Sequence, residues 1–146
     1  MKHLLVSFSC HELNVEHQRQ QLAVYEQFSL YSCFRRIVAN ERHKTINVTS
    51  MYQFLHDNSF NWVSTKDVTL LFKEFNLRDE ETDLNFGEFS RIFLSRESDE
   101  LRAALSQREL SDKAYMPLKL EQGVSELLAK EIEFLQSSHT LRVELQ

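Results

Sequence analysis

Apolar residues recur along this chain in short stripes at helical spacing, separated by polar runs. Val24, Phe28, Tyr31, Phe34 and Val38 fall three or four residues apart, which sets them on one face of a predicted helix. The polar residues 40–44 end it, and residues 45–48 alternate as a very short extended segment does. Thr49 is the predicted N-cap of the next helix. Its stripe opens with Met51, Phe54 and Leu55 and stops at the polar run 56–59. Ser64 and Asp67 stand at capping-box spacing, ahead of a stripe of Val68, Leu71, Phe72 and Phe75. After the polar, acidic run 76–83, residues 84–86 alternate again and Phe89, Ile92 and Phe93 form another stripe.

The flanks read differently. Residues 12–21 are polar and rich in Gln and His, as expected of a helical arm or a frayed lead-in. Residues 95–116 are polar, with one short helical candidate at 101–105. Beyond Pro117, the residues Leu120, Val124, Leu127, Leu128, Ile132 and Leu135 make an amphipathic helix. Gly123 weakens its start by about 1 kcal/mol relative to Ala if it lies in the helix interior.

Composition narrows the class. Two glycines and one proline in 146 residues leave too few tight turns for a β-sandwich or a Gly-rich nucleotide fold, so the predicted class is all-α. Hydrophobic residues at 42%, with 11 Phe, suffice for a core. The net charge of −5, from 17 basic and 22 acidic residues, comes without the basic run that nucleic acid requires. No stretch has the length of a membrane span, and the apolar opening of the chain is interrupted by Ser7 and Ser9 and too short for a secretion signal. Asn47, Val48 and Thr49 form a sequon that means little without secretion. Cys10 and Cys33 show neither metal-site nor redox spacing and read as reduced thiols of a cytoplasmic protein.

Catalytic chemistry finds no support. His11 and His17 bracket a Glu in a run that loosely suggests a zinc-protease helix, but Val15 occupies the place of the second His, and the two rings do not share a face. No nucleophile elbow, P-loop or dinucleotide fingerprint occurs. Cys33 sits within an apolar stripe as a small core residue. Trp62, in the linker between stripes, reads either as core packing or as an anchor for a partner.

The middle of the chain holds one pattern twice: helix, polar loop, apolar–polar–apolar triplet, helix. It occurs around Ile46, Asn47 and Val48, and again around Leu84, Asn85 and Phe86. Residues 83–89 resemble the end of an EF-hand loop, with Leu84 at loop position 8, Phe86 at 10, Glu88 at 12 and Phe89 following. The run 67–75, ending Phe-Lys-Glu-Phe, is similar to an EF-hand entering helix. The likeness covers about half the chain and implies a calmodulin-like EF-hand pair over 24–96, with Ile46 and Leu84 paired in a short two-stranded bridge. Around it stand an N-terminal arm (1–23), a polar linker (97–118), and a C-terminal amphipathic helix with its tail (119–146). Residues 51–58 followed by 64–75 also resemble EF-hand proteins of ciliary and other microtubule cytoskeletons, which implies an axonemal location.

The ligands of such a loop are depleted. Calcium needs oxygen donors at positions 1, 3, 5, 7, 9 and 12 and Gly at 6. Counting back from Glu88 puts Leu77 at position 1 and Thr82 at 6. The metal candidates are therefore Asp79, Glu81, Asp83 and Glu88, in a loop expected to be vacant. The first loop has Ala39 at position 1, Ser50 at 12 and Glu41 as its one carboxylate, which leaves no calcium site. Arg42, His43 and Lys44 are expected to face the acidic second loop. The resemblance implies a non-catalytic adaptor that needs no cofactor. It would hold a protein partner, such as a microtubule or axonemal protein, in a groove lined by Phe28, Tyr31, Phe54, Leu71, Phe72, Phe89 and Phe93. The alternative is a calcium sensor using the second loop. The C-terminal helix is expected either to enter that groove or to dock on a neighbour.

Overall fold

The computed structural model describes residues 2–25, 27–38, 44–78, 82–108 and 117–145. Among them the chain is all-helical: α1 (Lys2–Val24), α2 (Leu30–Val38), α3 (Val48–Asp57), α4 (Thr65–Phe75), α5 (Phe86–Phe93), α6 (Asp99–Ser106) and α7 (Leu118–Leu145). No helix in this set is long and apolar enough to cross a membrane.

Short-range chemistry sets several of the boundaries. Ser64 and Asp67 form a reciprocal capping box at the start of α4, as their spacing predicts. Asn85 and Glu88 form a second one at α5. Helix α3 begins earlier than predicted. Asn47, not Thr49, is its cap, because the Asn47 side chain accepts the Ser50 N–H at 2.8 Å from an extended backbone.

The continuous helix predicted through 24–38 is broken. Val24 ends α1 with 66% of its surface exposed, and Ser29 Oγ accepts the Ser32 N–H to open α2. The guanidinium of Arg108, just beyond α6, donates to the carbonyls of Tyr25 and Phe28 at 2.7 and 2.8 Å and to that of Ala23. These bonds occupy acceptors that an unbroken helix would have used itself.

Helices α2–α3 and α4–α5 form two helix–loop–helix units, with α2 against α5 and α3 against α4. Their loops meet at an isolated antiparallel bridge between Ile46 and Leu84. Ile46 N–H donates to Leu84 O at 2.8 Å, and Leu84 N–H donates to Ile46 O at 2.9 Å. Both side chains are fully buried.

The long helices α1 and α7 pack on each other more extensively than any other pair, and α7 also lies on α3 and α4. The pair contributes Val15, Leu22, Val124, Leu127, Leu128 and Ile132 to the same core as the two units. The polar N-terminal arm is therefore neither frayed nor free beyond residue 11. Glu16, Gln18 and Arg19 are buried, because each finds partners across the seam. Gln18 Nε2 donates to Gly123 O at 3.1 Å. Arg19 Nε donates to Ile92 O at 2.8 Å, and its Nη2 to Glu131 at 3.2 Å. Glu16 accepts from Ser95 Oγ at 2.5 Å and from the Arg96 N–H at 2.7 Å. The short helical candidate expected at 101–105 in the linker is α6, whose Leu105 is buried and which packs on α1.

Gly123 lies inside α7, where a Cβ would stand 3.0 Å from Leu22 Cδ2 and 3.6 Å from Gln18 Nε2. The helix cost of glycine thus coincides with close approach of α1. Gly123→Val forces its branched side chain into Leu22 and lowers unfolding stability by about 1–3 kcal/mol, to be measured by urea denaturation.

Candidate functional site

The second loop joins α4 to α5, and a network of hydrogen bonds holds it. Asn76 caps α4, its N–H donating to Phe72 O at 2.8 Å. Its side chain spans the loop: Nδ2 donates to Asp83 O at 2.7 Å, and Oδ1 accepts the Arg78 N–H at 2.7 Å. Glu88 stands in the first turn of α5 with 2% of its surface exposed. Its Oε1 accepts the Asn85 N–H at 2.9 Å and its Oε2 the Leu77 N–H at 2.7 Å.

Arg78 completes the arrangement. Its Nε donates to Glu88 Oε2 at 3.2 Å and its Nη2 to Glu88 Oε1 at 2.8 Å. The same Nη2 reaches Asp83 Oδ1 at 3.0 Å and Asp83 O at 3.3 Å. The planar fork matches both carboxylate oxygens of Glu88, a bidentate geometry a lysine cannot reproduce. Burial pushes the Glu88 carboxyl up, but the Arg78 hydrogen bond, the Asn85 and Leu77 amides and the Arg78 charge together hold it down at about 2. Glu88, chiefly through its hydrogen bond, and Asp83 in turn push Arg78 above its ordinary value against the effect of burial.

Of the four metal candidates, Asp79 and Glu81 lie outside the described residues, and Asp83 and Glu88 both bind Arg78. In an ion-binding hand the position-12 Glu gives two oxygens to the ion. Here both are engaged by the guanidinium and by backbone amides, and Leu77 offers no side-chain ligand where the first carboxylate belongs. The described residues of this loop do not by themselves fit calcium. Among the described residues, no group of three or more His, Cys, Asp or Glu is placed to hold a metal. In the first loop Ala39, Glu41, Arg42 and His43 lie outside the described residues, Lys44 is exposed, and the Ser50 N–H is taken by Asn47. The described cation of the second loop comes from within it.

The expected groove is closed. Phe28, Phe54, Leu71, Phe72, Phe89 and Phe93 are buried, and Tyr31 is half-buried and stacked on Phe86 at 5.4 Å. The rings of Phe89 and Phe93 lie 4.9 Å apart, and Phe93 lies 5.9 Å from Phe28. The reason is the C-terminal helix: Leu120, Val124, Leu127, Leu128, Ile132 and Leu135 join the same core. Glu121 pairs with Arg36 of α2 at 3.2 Å, and Gln136 donates to Asp67 of α4 at 2.7 Å. Of the two expected placements of that helix, the chain's own core is the one adopted.

A second polar region lies where α1, α4, α5 and α7 converge, around a cavity of about 410 Å³ lined by Glu16, Arg19, Glu74, Arg91, Arg96 and Glu131 among others. Arg19 lies between Glu131 at 3.2 Å and Glu16 at 3.7 Å. Burial raises the Glu131 carboxyl against the pull of Arg19 and Arg96. Burial also raises Glu16, but bonds from Ser95, Arg96, Gln20 and Glu97 outweigh it and leave that carboxyl lowered. Arg19 is the cation paired with both buried carboxylates, while Arg91 and Arg96 donate to the carbonyls of Phe75 and Leu94.

The remaining chemical candidates stand apart. Cys33 is buried and its thiol is pushed up, first by burial and then by Glu121. His17 is exposed, and His11 lies 3.8 Å from Glu133 of α7.

Trp62 is 47% exposed, so of its two readings core packing is excluded. The turn explains this. Ser59 adopts a left-handed φ of 73° after α3, and its N–H and that of Phe60 donate back to His56 O and Leu55 O, a Schellman ending. His56 Nε2 donates to Val63 O at 2.7 Å, drawing Val63 into the core while Trp62 faces out.

Arg78 and Arg19 were not among the residues the sequence marked. The available signals were a basic residue beside a loop start that lacks its carboxylate, and the Asn85–Glu88 capping spacing. Comparison with family models, with curated protein sequences and with solved structures finds no match.

A carboxyl lowered from its ordinary 4.5 to about 2 adds stability that is complete above pH 4.5 and lost as pH falls toward 2. Glu88→Gln is therefore expected to be less stable by about 2 kcal/mol at neutral pH. Its urea-unfolding stability should also fall less steeply than that of the unaltered chain across that acid window.

Proposed function

We propose that this chain is a non-catalytic, EF-hand-like adaptor that works without calcium, as a component of a larger cytoskeletal assembly, with an axonemal microtubule protein as the kind of partner it holds. The observation that carries the calcium-free reading is the bidentate Arg78–Glu88 pair, in which the carboxylate a calcium loop would give to its ion is already engaged. The antiparallel Ile46–Leu84 bridge between two helix–loop–helix units supports the EF-hand-like reading. The cytoskeletal location rests on the resemblance of residues 51–58 and 64–75.

Because α7 packs on α3 and α4 and the expected groove residues are buried or half-buried, among the described residues that groove is not open to an outside helix, and the partner contact is assigned to the outer surface. Trp62 is the anchor proposed there. It is a large side chain held outward by a tight turn, and such residues carry a disproportionate share of interface energy.

Two measurements test this. Millimolar calcium should leave the melting temperature of the purified chain unchanged, whereas a sensor using the second loop would gain stability from the ion. In ciliated cells the chain should fractionate with the cytoskeleton, and Trp62→Ala should shift it to the free fraction while its melting temperature stays within about 2 °C of the unaltered chain, as for a surface substitution. Recovery of the unaltered chain as a free monomer would sink the assembly reading.

A further inference from the structure

We propose that the guanidinium of Arg78 is the built-in cation of the second loop, doing for Glu88 and Asp83 what a dissociable ion does in a metal-binding loop, so that the loop keeps its closed geometry at every ion concentration. The inference rests on the EF-hand-like reading for that comparison and adds how the loop is held.

Among the described residues, oxygens that converge on this one side chain include both of the Glu88 carboxylate, Asp83 Oδ1 and Asp83 O. The guanidinium comes from the segment just after α4, Glu88 belongs to α5, and Asp83 precedes the bridge residue Leu84. A single cation thus ties the end of one helix to the start of the next and to the strand-like pairing between the loops. Asn76 fixes the donor, since its Oδ1 takes the Arg78 N–H while its Nδ2 holds Asp83 O. The buried Glu88 carboxylate needs a counter-charge wherever it is ionised. A tethered one cannot be diluted away, removed by a chelator or varied by a signal. An ion is a ligand whose occupancy follows its concentration; Arg78 replaces that dependence with a constant.

Arg78→Ala removes the cation and leaves the carboxylates facing a hole. Its melting temperature should fall by about 10 °C. Millimolar ethylguanidinium chloride should restore part of the loss, while the same concentration of tetramethylammonium chloride should restore none of it and neither salt should move the unaltered chain. Combining Arg78→Ala with Glu88→Gln should abolish the ethylguanidinium effect, because the receiving carboxylate is gone.

If Arg78→Ala proves too unstable to purify, Arg78→Lys serves instead. It keeps the charge and loses the fork, and should melt between the unaltered chain and complete loss of folding. Equal melting of Arg78→Ala (or Arg78→Lys) and the unaltered chain would overturn the proposal. So would recovery of Arg78→Ala in both salts or in neither. These readouts use the purified chain alone, so failure of the cytoskeletal assignment would leave them unchanged, and their failure would leave that assignment to its own test.

Discussion

Arg19 carries a full charge into the seam where α1, α5 and α7 meet. Its Nε holds the carbonyl of Ile92 at the end of α5, its Nη2 holds Glu131 of α7, and Glu16 stands one turn before it on its own helix. A buried ion pair is weak evidence for stability, since desolvation offsets most of the Coulombic gain. What it sets here is register. The apolar stripe of α7 supplies the driving force for docking, and apolar contact alone tolerates sliding. Arg19 and Glu16 fix how far α1 runs past the second helix–loop–helix unit. Glu16 adds to this by accepting the Arg96 N–H and the Ser95 hydroxyl just before α6.

Once α1 and α7 are docked, the apolar stripes of the two units lie largely in one buried core. The Phe-rich stripes that would line an open groove pack on one another and share one core with the C-terminal helix of the same chain. Opening the units would require removing α7 from contact with α1, α3 and α4 together. A ligand shifts a conformational equilibrium only by its differential affinity for the two states. In the second loop the described carboxylates, Asp83 and Glu88, are both engaged by Arg78 and so offer no such difference. Loop and core therefore favour the same single arrangement.

The two loops reach that arrangement differently. The first is tied by the Ile46–Leu84 bridge and by Asn47 capping α3. The second adds the Arg78 network and a reciprocal cap from Asn85 and Glu88. Glu88 serves both, since its two oxygens take backbone amides as well as the guanidinium. That double use explains why a residue that looks like a metal ligand is buried with its carboxyl held well below the usual range.

The helical class, the stripes of α3, α4, α5 and α7, the Ser64–Asp67 box and the equivalent positions of Ile46 and Leu84 were all legible from the chain, because each depends on side-chain periodicity or on partners three residues apart. The break after Val24, the buried polar face of α1, the closed groove and the cation of the second loop were not. Arg108 reaches back across 83 residues to Tyr25, and Arg19 across 112 to Glu131. Neither partner is marked by local spacing. Arg78 lies only 10 residues from Glu88, yet a loop of that length can turn either residue outward until the bridge and the helix ends constrain it. A linear pattern determines which residues seek burial and which helices can start; which charge meets which carboxylate waits on the docking of the helices that carry them.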